Sequence, residues 1–269
     1  MKTLFSYAFI QNAFISAILV SIICGVIGTI ITEKKLVSMS GGIAHASFGG
    51  IGLGYFIGVE PIATGLIFSA LSSIGISNIK RRTNTNSDAL IGMFWSVGMA
   101  LGIVFITLTP GYPPDMTSYL FGDILTVSKD YIKIIGILSL IIVLFTAVIF
   151  NYWKAYLFDE EFTKVLGIKT LNLEYILFIL VALSIVILIK VVGIILVIAL
   201  LTIPPSIAKL FTYNLKNMIV MSILLGIIFS IGGLFISYKY NIPSGATIIL
   251  LSVLGYFLGY GLNKIVLKR

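Results

Sequence analysis

The sequence predicts an all-α chain, a polytopic transmembrane helical bundle of about nine (eight to nine) spans. Three observations carry that prediction. Apolar residues make up 59% of the chain, charged residues only 10%, and mean hydropathy is +1.13. A soluble core of this length has no use for so much apolar surface. The apolar residues fall in successive runs near the ~20 residues a helix needs to cross hydrocarbon. The net charge of +8 sits at the ends of those runs. That placement describes membrane topology and argues against a nucleic-acid surface.

The first run covers 10–31. No small-residue cleavage site closes it, so it reads as a span, not a removed signal peptide. The second, 42–58, is dense in glycine, with Gly41, Gly42, Gly49, Gly50, Gly52, Gly54 and Gly58 in or beside it. Small residues there permit close helix approach or a broken helix covered by protein or water. Val59, Glu60 and Pro61 alone separate it from the third run, 61–79, and the fourth covers 88–109. Between 110 and 129, Pro110, Pro113 and Pro114 prevent a continuous helix, and Thr117–Thr126 is expected as a short helix at the outer surface. The fifth run is 130–150. The last four are 172–189, 191–209, 217–237 and 244–263. Thr202-Ile203-Pro204-Pro205-Ser206 interrupts the run 191–209, where two prolines predict a kink with hydroxyls covering the freed carbonyls.

One stretch between the fifth and sixth runs differs from all the others. Asp159, Glu160 and Glu161 suit the first turn of a helix, at the positive end of its dipole. Phe162, Val165 and Leu166 fall at i, i+3 and i+4 and share a face. Gly167 suits the left-handed residue that ends a helix. The pattern near 159–168 predicts a short amphipathic helix, either lying on lipid or docking a soluble partner. No other segment stands apart, so 1–269 is read as a single transmembrane domain.

With nine spans, Lys34, Lys35, Lys80, Arg81, Arg82, Lys154, Lys164, Lys169, Lys209, Lys216, Lys264, Lys268 and Arg269 fall on one side. Lys2, Lys129, Lys133, Lys190 and Lys239 fall on the other. The positive-inside rule places the first set in the cytoplasm, with the N-terminus outside, the C-terminus inside and the amphipathic helix cytoplasmic.

Few residues carry chemistry. His45 is the one histidine and lies in the second run. An ionisable group there faces a bundle interior or a pathway, as a metal ligand or as a neutral imidazole bonded to a neighbouring helix. One histidine and one cysteine make no closed zinc site, so a metal at His45 needs oxygen ligands, water or a second subunit. Cys24 reads as a small packing residue. Lys190 reads as a snorkelling lysine. Asp115 and Asp123 are outer acids, solvated or cation-attracting. No Gly-x-x-x-x-Gly-Lys-Ser/Thr loop is present, and no Ser-His-Asp set or aspartate pair suggests a protease, so this chain is not read as an enzyme.

Several stretches together resemble a known family: Gly42-Ile43-Ala44-His45-Ala46-Ser47, Ala89-Leu90-Ile91-Gly92, Ser118-Tyr119-Leu120-Phe121-Gly122-Asp123-Ile124-Leu125-Thr126-Val127 and Phe158–Ile168. Lys190-Val191-Val192-Gly193, Ala199-Leu200-Leu201-Thr202-Ile203-Pro204-Pro205 and Ile242-Pro243-Ser244-Gly245-Ala246-Thr247 follow. In this order they resemble the membrane subunit of bacterial and archaeal metal-ion ABC importers, the zinc/manganese/iron permease family. The resemblance covers nearly the whole chain. It implies a permease homodimer in the cell membrane, two cytoplasmic ATPase subunits that bind the ATP, and an extracytoplasmic binding protein that delivers the metal. It implies that Asp159–Ile168, with Asp159, Glu160, Glu161, Phe162, Val165, Leu166 and Gly167, is the coupling helix seated in the ATPase. It implies a transient metal ligand at His45. Family members often carry an aspartate four residues before that histidine, and here the position is Gly41. Imidazole without a nearby carboxylate favours zinc over manganese. The alternatives are an ATP-independent carrier or channel, which needs no coupling helix, and an ABC permease of this fold for a non-metal substrate.

Overall fold

A computed structural model describes residues 7–82, 86–111 and 117–266, with the side chains of 80–82, 87, 117 and 266 excepted. Lys2, Pro113, Pro114, Asp115, Lys268 and Arg269, each used in the sequence reading, lie outside the described residues. Every long element is helical: α1 (Ala8–Glu33), α2 (Val37–Ile57), α3 (Pro61–Arg82), α4 (Ser87–Leu108), α5 (Thr117–Phe121), α6 (Lys129–Val148), α7 (Phe150–Phe158), α8 (Glu160–Val165), α9 (Thr170–Phe211), α10 (Leu215–Tyr240) and α11 (Ser244–Val266). A 3-10 turn covers Ile124–Thr126.

Among the described residues, seven helices are long and apolar enough to cross a membrane: α1, α3, α4, α6, α9, α10 and α11. The expected nine differ from these at two places. Helix α2 is 21 residues long, but its glycines, serines and His45 dilute its hydropathy. Helix α9 stands where two spans were expected. At 42 residues it has about twice the ~20 residues that one crossing needs. Its backbone leaves helical geometry at Gly193, φ 76° and ψ 162°, not at the turn expected near Lys190. Lys190 is inside the helix, with Nζ 5.1 Å from the Tyr131 ring centroid. The expected fifth run also divides, since α6 ends at Val148 and α7 begins at Phe150. Trp153 and Tyr156, three apart on one face of α7, are both fully buried, which anchors a helix that hydropathy alone does not mark.

The chain clusters into two compact units. The first comprises residues 1–35, 117–154 and 188–269. Within it, α1 packs against α10, α6 and the C-terminal part of α9. Thr29 donates to Ser222 Oγ at 3.1 Å, Ser21 meets Ser230 at 3.4 Å, and Lys209 pairs with Glu33 at 2.8 Å. Cys24 is buried in this interface, the packing role its sequence suggests. The two prolines do not break α9. Pro205 leaves the Leu201 carbonyl without a helical N–H, and that oxygen sits against Gly28 of α1, close enough for a weak Cα–H···O contact. The neighbouring hydroxyls do not cover it: Thr202 donates to Ile198 O and Ala199 O, and Ser206 to Thr202 O.

In the same unit the expected helix Thr117–Thr126 is two pieces. Gly122 breaks it with φ 63°. Asp123 caps the 3-10 turn, its Oδ1 accepting from Leu125 N at 3.0 Å, so this acid has a structural task. The Gly122 backbone lies directly against Val192 and Gly193, and each of these two glycines has positive φ.

The second unit comprises residues 36–116 and 155–187. Here α2 lies between α3, which runs antiparallel to it, and α4, which runs parallel. The α2 glycines serve close packing in an unbroken helix: a Cβ on Gly52 would stand 2.8 Å from the Gly102 Cα. The end of α3 is tied to the start of α9 by two hydrogen bonds. Ser77 Oγ donates to Glu174 Oε1 at 3.0 Å, and Tyr175 Oη donates to Asn78 Oδ1 at 2.7 Å. Glu174 is 7% exposed. An acid buried this far is stabilised only with such donors around it.

Candidate functional site

Two places in the second unit hold the residues singled out in the sequence, His45 for a metal and the α8 stretch for a partner. The first is His45. Gly98 of α4 packs so closely on α2 that a Cβ there would stand 3.0 Å from the His45 carbonyl and 2.9 Å from that of Ala46. Trp95 precedes Gly98 by three residues and so shares its face of α4. The close approach lays the Trp95 indole flat on the His45 imidazole, with centroids 3.9 Å apart and planes 7° from parallel. The Nδ1 atom of His45 is buried and has no hydrogen-bond partner among the described residues. A neighbouring helix therefore holds this ring by its face, while Nδ1 remains unbonded. Gly41, where an acid would have faced His45 one turn away, is buried in helical backbone.

Among the described residues, no three His, Cys, Asp or Glu side chains cluster to hold a metal. His45 could therefore supply one ligand at most from these residue types. Any ion there must take its other ligands from water, peptide or hydroxyl oxygens, or a second copy of the chain. A closed structural site would hold its ion. An incomplete one can release it.

The second place is α8. It has six residues, too few to persist alone, and both ends are closed. Asp159 is the N-cap and not a first-turn residue as the sequence suggested: its Oδ1 accepts from Glu161 N at 2.9 Å and Phe162 N at 3.0 Å. Glu160 and Glu161 do occupy the first turn. Thr163, buried, donates to the Asp159 carbonyl at 2.6 Å. At the other end Gly167 has φ 77°. Its N–H donates to Lys164 O at 3.0 Å and the Ile168 N–H to Thr163 O at 3.3 Å, the paired bonds of a Schellman motif. Lys164 also pairs with Glu160 at 3.0 Å.

This doubly capped turn buries Thr163 and leaves its apolar side chains outside. Phe162, Val165 and Leu166 are 56%, 84% and 57% exposed, and Phe158 just before the cap is 91% exposed. Four large apolar side chains on a rigid turn form a surface shaped to be covered. Replacing Asp159 by alanine should cost α8 about 1 kcal/mol. Hydrogen exchange of the Glu161 and Phe162 amides should then speed up about fivefold. Unchanged exchange would show that the cap does not hold the turn.

Sequence reasoning singled out His45 and the α8 residues and missed what surrounds them. Trp95 lies in an apolar run with no distinguishing spacing. The Ser77–Glu174 and Asn78–Tyr175 bonds join positions 97 apart, and an acid at the third position of the expected run 172–189 was the one available signal.

Residues 6–262 match the ABC 3 transport family. An uncharacterized membrane protein of Synechocystis is 37% identical over 96% of this chain and 92% of its own length. The manganese import system permease protein ScaB of Streptococcus gordonii is 33% identical over 97% of this chain and 93% of its own. A solved structure, PsaBC from Streptococcus pneumoniae in complex with Fab, superposes with a TM-score of 0.87 at 32% identity, covering 96% of this chain and 93% of that one.

Proposed function

The chain belongs to the ABC 3 transport family, as a multi-pass membrane transport subunit. From that premise we propose that it is the permease of an importer that moves a divalent transition-metal ion into the cytoplasm by alternating access, driven by a separate ATPase chain. Supporting this is α8, capped at both ends and carrying Phe158, Phe162, Val165 and Leu166 exposed. A carrier or channel working without ATP has no use for a rigid apolar turn between two apolar helices. The occupant of that face is the cytoplasmic ATPase, and α8 with Asp159, Glu160, Glu161 and Gly167 is the coupling helix. An extracytoplasmic binding protein delivers the ion, and a second copy of the chain completes the path. The chain works as one transmembrane domain, with nine of the expected eight to nine spans. In that reading α2 crosses beside α3 and α4 within its unit, α9 counts as two spans divided at Gly193, the N-terminus is outside and the C-terminus is cytoplasmic.

His45 is the transient ligand for the passing ion. Zinc is the favoured cargo, because a neutral imidazole with no carboxylate at Gly41 suits it better than the harder manganese. Manganese is the second reading, favoured by relatives named for manganese transport. Iron loading is the third arm of the test. The experiment is ATPase activity of the reconstituted complex, with zinc, manganese or ferrous iron loaded on the binding protein. Stimulation by zinc alone supports zinc, and stimulation by manganese or iron replaces it. No response to any metal means a non-metal substrate. His45→Ala should lower metal flux at least about tenfold without changing assembly with the ATPase. Unchanged flux would return His45 to a packing role.

A further inference from the structure

The geometry points to Trp95 as the residue that positions His45 for the passing ion, doing by stacking what a hydrogen-bonding carboxylate does elsewhere. This inference rests on the reading of His45 as a ligand for a transported divalent ion, and it concerns a residue that the reading does not use.

A metal-binding imidazole needs its ring plane fixed, because the metal lies in that plane along a nitrogen lone pair. The usual device is a hydrogen bond from the second ring nitrogen to a carboxylate or a carbonyl, and losing it typically costs 10–100-fold in metal affinity. His45 has no such bond at Nδ1 among the described residues, and Gly41 supplies no acid one turn away. What the ring has is the Trp95 indole at 3.9 Å and 7°. A face-to-face contact removes the freedom of the ring to turn about its Cβ–Cγ bond, yet it occupies neither nitrogen. The stack blocks neither in-plane direction, and because Nδ1 is buried the approach left to an ion is along Nε2. A carboxylate at the same place would also add charge and hold the ion longer. A stacked indole orients without adding charge, which suits a site that must empty on every cycle.

The arrangement also depends on backbone packing. Gly98 brings α4 onto the His45 and Ala46 carbonyls, and Trp95 is one turn away on that face. Trp95 is 42% exposed, so only part of the indole serves core packing and burial alone does not explain its place. The stack is an electronic contact as well, so binding of an ion to His45 must alter the emission of Trp95.

The test uses the whole complex of permease, ATPase and zinc-loaded binding protein, with Trp95→Leu, Trp95→Phe and His45→Ala. Trp95→Leu keeps apolar bulk but no flat face. It should raise the zinc concentration for half-maximal flux about 10-fold or more, with the maximal rate changed less than about twofold. Trp95→Phe restores a flat face and should recover half-saturation to within about threefold. Zinc should change tryptophan emission in the wild-type complex, and that change should vanish in Trp95→Phe and in His45→Ala. Equal losses in the Leu and Phe variants, confined to maximal rate and yield, would reduce Trp95 to packing and overturn the inference. So would a Trp95→Leu variant with wild-type half-saturation. If His45→Ala leaves zinc flux unchanged, the ligand reading itself fails, an outcome distinct from a Trp95→Leu variant that behaves as wild type while His45→Ala is impaired.

Discussion

Gly193→Ala is expected to leave no folded permease, and Gly122→Ala is expected to do the same. The two residues face each other backbone to backbone. A Cβ on Gly122 would overlap the Gly193 nitrogen and the Val192 carbonyl carbon, and a Cβ on Gly193 would overlap the Phe121 carbonyl carbon and the Gly122 nitrogen. No flexible side chain is there to move aside. Gly193 also sits at φ 76° and ψ 162°, a region essentially closed to residues with a Cβ, at about 1–3 kcal/mol by itself. Overlap and strain together exceed about 4 kcal/mol, the upper range for single substitutions, in a chain whose whole stability is on the order of 5–15 kcal/mol. Yield of monodisperse protein after detergent extraction, and its melting temperature, are the measurements. Gly92→Ala is the control: Gly92 is helical, and its Cβ would meet nothing within 4 Å, so stability should hold or improve slightly. A Gly193→Ala protein that purifies and melts like wild type would refute the close contact.

Leu166→Asp is expected to cut ATP-driven transport by about 100-fold while the permease still inserts and folds. The side chain is 57% exposed in the chain alone, so the substitution removes little internal packing, and exposed changes typically stay within about 0.5 kcal/mol. Docked on a partner, the same side chain is buried. Truncating a central interface residue costs about 2 kcal/mol or more, and an unpaired carboxylate there costs roughly 3–5 kcal/mol. Permease–ATPase co-purification and transport per ATP hydrolysed should fall together. Charge reversal at Asp159, Glu160 and Glu161 should weaken the same coupling. If both variants co-purify and transport as wild type, α8 lies on lipid and docks nothing.

Helical class, element order and most boundaries are legible in this sequence because hydropathy integrates over many residues. The expected 88–109 and 244–263 stand beside the observed Ser87–Leu108 and Ser244–Val266. The amphipathic stretch is legible because caps are local: Asp159 and Gly167 act within four residues of themselves. Long-range partnership is not legible. Nothing near Trp95 in the chain announces His45, 50 residues away, since the contact depends on where α4 crosses α2. Likewise nothing near Gly193 announces Gly122. The expected hydroxyl cover at the prolines failed for a related reason: α1 presents a glycine to the carbonyl that Pro205 frees, and the hydroxyls bond other carbonyls.

The two bonds between α3 and the start of α9 have a mechanical meaning. Four residues separate α8 from α9, and the Schellman bonds already bind two of them to α8. Thr170 is buried where α9 begins. Ser77 and Asn78 then grip Glu174 and Tyr175. The second unit thus contains a linkage with almost no slack. In the proposed docking, a push on the exposed turn would reach α9 and then α3, which packs antiparallel on α2, the helix that carries His45. Compliance, more than strength, is what this short connection removes.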